Sequence, residues 1–392
     1  MNNETSEDRN IIQSTVDRYL RTHYRFERRQ CAVQDTGGFN PAVWKEFSEL
    51  GLLSLSMDEM YGGLGGQCRD AMVVSELLGY HLVTEPLISS GILCSDLIQA
   101  FGTEAQRSRY LPSIATGSEM FSFAHTESDL NFANLHSVQT LATATQNGYL
   151  LNGKKLNVIN ASNATHLLVS SAVENSGADP SSANSPTLFV VDTNTVGLTL
   201  ESHITLDGSS ASTVTLETVQ ASKADQLVGA TLSSDDLGKA TVKSQLCLSA
   251  ESNGIASRLL EETWAYAGNR EQFGSKITDF QVIQHRLANM YMALEAAKSF
   301  VWVACELVDS SAANCASVIP NMRRKVSSAC REIAEGAIQI HGGIGTTDEL
   351  IIGQGLKRLL AIENSLGSEA ELAVESIRLL KNTYNANVRR NR

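Results

Sequence analysis

The 392-residue chain has no apolar run of membrane-spanning length, no CxxC pair and no surplus of positive charge, and each absence removes a class of function. Without a long apolar stretch, membrane insertion is not expected. Lys and Arg number 31 against 43 Asp and Glu, a formal net charge of −12. The cationic excess that neutralises phosphates is missing, so neither nucleic acid nor an anionic membrane surface is an expected partner. Seven cysteines (Cys31, Cys68, Cys94, Cys247, Cys305, Cys315 and Cys330) lie scattered along the chain with no close Cys/His cluster. That spacing suggests neither a zinc site nor a disulfide framework, so no metal is expected and a reducing compartment fits. Glu4, Glu7, Asp8 and Arg9 precede any apolar run, unlike a signal or acid-poor transit peptide, and the expected location is the cytoplasm.

What is present is an ordinary globular composition, 42% hydrophobic and 19% charged, sufficient for a large core and two or three domains around a small ligand. From about Asn10 to Gly117 the apolar spacing is helical, as in AMVVSELLGYHLV from Ala71 to Val83, broken by the turn-forming YGGLGG at Tyr61 to Gly66. From about Ser122 to Gly229 short β-rich runs separated by Gly, Asn and Asp predict an antiparallel barrel or sandwich. Within them, the Ser/Asn/Gly/Ala-rich stretch from Glu174 to Pro186 reads as a hairpin loop. After about Ser233 helical periodicity returns. Phe280, Ile283, Leu287, Met290, Leu294, Ala297, Val301 and Ala304 form a heptad a/d series, expected as the seam of an intramolecular helix bundle. The predicted class is α+β: an N-terminal all-helical domain over 1–121, a middle β domain over 122–232 and a C-terminal four-helix bundle over 233–392.

Several segments, in order and over nearly the whole chain, resemble the acyl-CoA dehydrogenase family: the YGGLG turn, NREQFGSKITDFQVIQHRLANMYMALEAA from Asn269 to Ala297, and QIHGGIG from Gln339 to Gly345. The resemblance implies FAD as cofactor, an acyl-CoA substrate, electron-transfer flavoprotein or a similar acceptor, and a homo- or hetero-tetramer with a homologous subunit. Residue physics agrees with dinucleotide binding. Arg270 offers a guanidinium fork for a pyrophosphate, Phe273 an apolar face for adenine, and Gln272 and Gln339 amides for polar groups. Gly342 and Gly343 let backbone amides approach phosphate or ribose, although a lone GGxG is also an ordinary helix-ending turn. In the family, the arginine reaches flavin held mainly by another subunit.

The runs Thr205 to Val219, Gly153 to Ala172, and HGGIGTTDEL followed by SLGSEAE resemble the bacterial steroid side-chain dehydrogenases most, which implies a bulky or steroid-derived acyl group. α,β-Dehydrogenation needs a carboxylate to take the α-proton while hydride leaves to flavin N5. The two commonest family positions for that base fall on Leu366 and Ser244, which cannot serve. The steroid-type AExxG segment falls on Ala250 to Gly254, and the candidate base is Glu251. Three residues after Leu248 and four before Ile255, Glu251 also lies on the helix's apolar stripe, where desolvation would favour a general base. Pairing with a neighbour such as Arg258 is the plainer alternative. His285 and His341 are expected to pack or hydrogen-bond in the bundle.

The chain departs from the family where the reacting ring would lie. The flavin loop reads HTESDLNFANL from His125 to Leu135, in which Thr126 and Glu127 fit the family pattern. The family's WIT strand becomes NVIN, with Asn157 at the tryptophan position and Ile159 at the threonine position. An alternative is therefore a non-catalytic partner subunit that completes a neighbour's FAD site. A third reading, an oxidase or monooxygenase on the same fold, differs in how reduced flavin meets oxygen.

Overall fold

The computed structural model describes residues 4–127, 138–174, 186–227, 234–311 and 315–390. The expected loop between Glu174 and Pro186, and the flavin-loop residues after Glu127, lie outside these. Six helices come first: α1 (Glu4–His23), α2 (Phe26–Thr36), α3 (Pro41–Glu49), α4 (Cys68–Tyr80), α5 (Ser95–Phe101) and α6 (Glu104–Ala115). Their ends follow local chemistry. The Asn40 side chain accepts the Ala42 N–H ahead of a helix that opens on Pro41. Thr103 and Gln106 form a reciprocal capping box at α6.

Eight strands then form one sheet: β1 (Phe121–Ala124), β2 (Leu141–Ala144), β3 (Gly148–Ile159), β4 (His166–Glu174), β5 (Pro186–Asp192), β6 (Leu198–Ile204), β7 (Ser210–Ser222) and β8 (Gln226–Leu227). The order is β6-β7-β3-β2-β4-β5-β8, with β1 also on β4. Pairing is antiparallel as expected, except that β1 and β2 both run parallel to β4, at Phe121–His166 and Leu141–Ala172. The sheet is thus mixed. Alternate residues Leu167 and Val169, Phe189 and Val191, Val214 and Leu216 supply the buried face.

The last part contains α7 (Ser234–Ala240), α8 (Val242–Asn269), a hairpin of β9 (Glu271–Gln272) and β10 (Ser275–Lys276), then α9 (Gln281–Asp309), α10 (Cys315–His341), α11 (Ile351–Glu363) and α12 (Glu369–Arg390). The heptad seam is buried from Leu287 through Ala304. Phe280 instead precedes α9, its ring edge-on to Phe273. A methyl group at Gly336 would come within 2.9 Å of the Met290 sulfur, which accounts for the close approach of α10 to α9.

The chain packs as two compact units, one of residues 1–30, 68–83 and 245–392, the other of residues 31–67 and 84–244. Helices preceding β1 contribute to both. No helix among the described residues is long and apolar enough to cross a membrane.

Candidate functional site

Glu251 lies in the buried middle of α8, 3% exposed, between Ala250, Ser252 and Asn253, which are buried too. Two glycines explain how the helix reaches that depth. A methyl group on Gly254 would sit 1.9 Å from the Glu76 carbonyl oxygen, and one on Gly79 would sit 1.9 Å from the Glu251 carbonyl oxygen. Helices α4 and α8 therefore cross backbone to backbone, and AExxG ends in glycine because nothing larger fits. A third, Gly355, brings α11 against Leu259 of α8. From α11, Arg358 Nε donates to Glu251 Oε1 at 2.7 Å. The carboxylate is thus ion-paired as well as desolvated. Arg258, the neighbour favoured by sequence, pairs with Glu262 at 2.8 Å and lies over the Tyr80 ring.

Tyr266, just ahead of the NREQFG segment, stacks on His341 of QIHGGIG. The Tyr266 and His341 rings lie 4.2 Å apart and nearly parallel. His341 is buried with Nδ1 against the Ala337 carbonyl at 2.8 Å, so it packs as expected, whereas His285 is exposed. Arg270, Gln272 and Gln339 are exposed. Phe273 and Gly274 form the two-residue turn between β9 and β10, both with positive φ (55° and 82°). Such a turn favours Asn-Gly, and a phenylalanine there is strained. It is also 94% exposed, a costly way to hold an aromatic ring unless something covers it. Gly342 needs its φ of 67° to end α10, while Gly343 has no positive φ and a methyl group on it would touch nothing. These groups suit a dinucleotide tail. Gln339 also borders a groove of about 750 Å³ beside Arg286 and Glu335.

In the other unit, Thr126 and NVIN adjoin directly: Leu156 N–H donates to the Thr126 carbonyl at 2.7 Å. Asn157 is exposed with φ of 51°, at an irregularity in the β3–β7 register between Lys155 and Val158. Asparagine adopts that conformation at less cost than a tryptophan would. Ile159 is half-buried and presents no polar atom.

Beneath this surface lies a buried ion pair that sequence reading missed. Lys155, fully buried, donates to Glu127 at 2.6 Å, Ser170 Oγ at 3.0 Å and the His125 carbonyl at 3.3 Å. The Glu127 carboxylate also accepts the Thr140 N–H at 2.8 Å and the Gln139 N–H. Burial pushes the Lys155 ammonium down to about 8, against the pull of Glu127. Burial acts upward on Glu127, but the Lys155 charge and the hydrogen bonds hold its carboxyl below the ordinary value. The available signal was a lysine on an inward position of β3, at the alternation GKKLNV.

Two further positions explain themselves. Leu366 has φ of 55° in the turn after α11, where buried Arg323 donates to the carbonyls of Ser365 at 2.5 Å and Leu366 at 2.6 Å. Ser244 is fully buried, and its hydroxyl finds no partner among the described residues. The scattered cysteines also include one spatial cluster: Cys68, Cys305 and Asp309, with ligand atoms within 4.8 Å of one another.

Residues 6–118 match the family model of the acyl-CoA dehydrogenase N-terminal domain, and residues 239–372 that of the C-terminal domain. The chain is 29% identical to the probable acyl-CoA dehydrogenase YngJ of Bacillus subtilis, over 97% of this chain and 100% of that protein. It is 27% identical to acyl-CoA dehydrogenase IpdE2 of Mycolicibacterium smegmatis, over 93% and 96%. Among solved structures, a variant of the Tcur3481-Tcur3483 steroid ACAD superposes with a TM-score of 0.86 at 25% identity, covering 97% of this chain and 99% of that one. With both family domains in order and relatives of that name aligned nearly end to end, the chain belongs to the acyl-CoA dehydrogenase family of FAD-dependent oxidoreductases.

Proposed function

We propose that this chain dehydrogenates a bulky or steroid-derived acyl-CoA thioester, with Glu251 as the base that removes the α-proton. The observation that carries the reading is the burial of Glu251, the one carboxylate buried in its unit among the described residues. A carboxylate is kept that deep only with a partner, which Arg358 supplies through its bond to Oε1. FAD, when bound, supplies the hydride acceptor. Arg270, Gln272, Phe273, Gln339, Gly342 and Gly343 would hold its dinucleotide tail, and Thr126 would face the ring. The stretches 1–121, 122–232 and 233–392 would act as the helical, β and bundle domains.

The acyl class is supported by the segment resemblances and by the steroid description of the Tcur3481-Tcur3483 structure. A cytoplasmic tetramer passing electrons to electron-transfer flavoprotein or a similar acceptor is part of the same proposal. Turnover of a panel of straight-chain and steroid CoA thioesters with an artificial acceptor tests the proposal. Faster turnover of straight-chain substrates would overturn the substrate class.

A second reading has its own observation. Ile159 offers the flavin ring no hydrogen bond and Asn157 no aromatic wall, so a homologous partner could supply the fuller ring pocket while this chain contributes the tail contacts. The chain purified alone would then hold little flavin. Stoichiometric FAD in a homo-oligomer would exclude that reading.

A further inference from the structure

Cys68 opens α4, and Cys305 and Asp309 lie four residues apart on one face of α9. Their two sulfurs and a carboxylate oxygen all lie within 4.8 Å of one another. Cys68 is 3% exposed and Cys305 is fully buried. We propose that Cys68, Cys305 and Asp309 form a binding site for a soft divalent cation of the zinc class, tying the start of α4 to the end of α9.

Ligand type and spacing fit. Thiolates select zinc-like ions, and an i, i+4 pair on a helix plus a third group from another element is a common way to build such a site. Around tetrahedral zinc, sulfurs about 2.3 Å from the metal stand about 3.8 Å apart, so the present set closes by about one ångström. Cys305 Sγ already lies 4.0 Å from Asp309 Oδ2.

Charge also balances. Arg69 pairs with Asp309 Oδ2 at 3.2 Å and with Glu306 at 2.7 Å, so beside the two thiols the empty cluster holds two carboxylates and one guanidinium. A divalent ion would form two metal–sulfur bonds and one metal–oxygen bond, shedding aquo ligands but keeping one water. Two S–H bonds break, both protons go to solvent, and nothing is oxidised or reduced. With two thiolates, Asp309 and Glu306 against the divalent ion and Arg69, the net charge of the cluster is the same after binding as before. That arginine retains a second partner, Glu306 at 2.7 Å, when Asp309 Oδ2 turns to the metal. Asp309 Oδ1 can still accept the Cys68 N–H at 2.9 Å.

Titration of the full-length, flavin-loaded protein with Co²⁺ under reducing conditions tests this. The expected result is one equivalent bound, with a thiolate-to-metal charge-transfer band of two-thiolate intensity and d–d bands to the red of flavin absorption. Release of two protons per metal should accompany binding. Cys305→Ser should at least halve the charge-transfer band, Asp309→Asn should weaken binding, and Cys31→Ser, at an exposed thiol, should change nothing. Absence of the band, its undiminished survival in Cys305→Ser or its loss in Cys31→Ser would overturn the proposal. So would a Cys68–Cys305 disulfide in the protein as isolated. Should Cys305→Ser fail to fold, the two-thiolate intensity and proton count of the unmodified protein, with Cys68→Ala as second variant, decide the matter.

Discussion

The segment around Arg270 and Gln339 and the segment around Thr126 and NVIN serve the same cofactor in the proposed reading, but they are built in opposite ways. The first keeps its groups exposed on backbone shaped by glycine and a strained phenylalanine, with almost nothing of its own to satisfy them. The second is bound up internally: Lys155 donates to Glu127, Ser170 and the His125 carbonyl, and the Leu156 N–H to the Thr126 carbonyl. A surface that awaits a ligand from outside needs free groups, whereas a surface that supports one from beneath needs rigidity.

The sharpest test asks whether chemistry lies on this chain at all. Glu251→Gln should lower turnover about 10²–10⁴-fold in the flavin-loaded assembly, with substrate affinity little changed. Unchanged turnover would assign the chemistry to a partner and leave this chain only the tail contacts. The next largest effect concerns the supporting layer. Lys155→Met leaves Glu127 buried without its cation and should destabilise the protein by about 3–5 kcal/mol in denaturant unfolding.

The same pair sets a pH dependence with a definite sign. Glu127 has a folded value below its ordinary 4.5, so its contribution is full above 4.5 and is lost as pH falls through the lower folded value. For Lys155 the folded value of about 8 lies below the ordinary 10.5, so between them the unfolded chain binds more protons. Its own contribution therefore makes stability rise with pH across that window. Unfolding midpoints measured from acid to alkaline pH should show both limbs, and the acid limb should flatten in Glu127→Gln.

Gly254→Ala should cost about 1–3 kcal/mol in thermal unfolding through the clash with the Glu76 carbonyl. The smallest effect sets the two surfaces against each other most directly. Phe273→Gly should raise stability by about 0.5–1 kcal/mol by relieving the left-handed turn, while weakening FAD binding measured by flavin release. A gain in both would remove the aromatic contact from the tail site.

Helices, the β region and the seam from Leu287 to Ala304 were legible in sequence because each follows a short periodicity. The two parallel pairings on β4 were not, because strand direction depends on connections rather than on alternation. Arg270 and Gln339 were readable from their motifs. The stack of Tyr266 on His341 was not, since a contact across 75 residues leaves no local pattern. Lys155 and Arg358 were missed for a related reason: a buried cation looks like any other lysine or arginine until its carboxylate is in place. Arg258 was the natural choice from spacing, yet one turn along α8 its side chain turns outward to Glu262.

The crossing of α4 over α8 has a consequence for how this chain can change. The depth of Glu251 is set by two hydrogens, one on Gly79 and one on Gly254, where every other amino acid carries carbon. No gradual drift through alanine or serine is open at either position without lifting one helix off the other. Substrate preference can therefore diverge through the surrounding side chains while the location of the Glu251 carboxylate, the proposed base, stays the same.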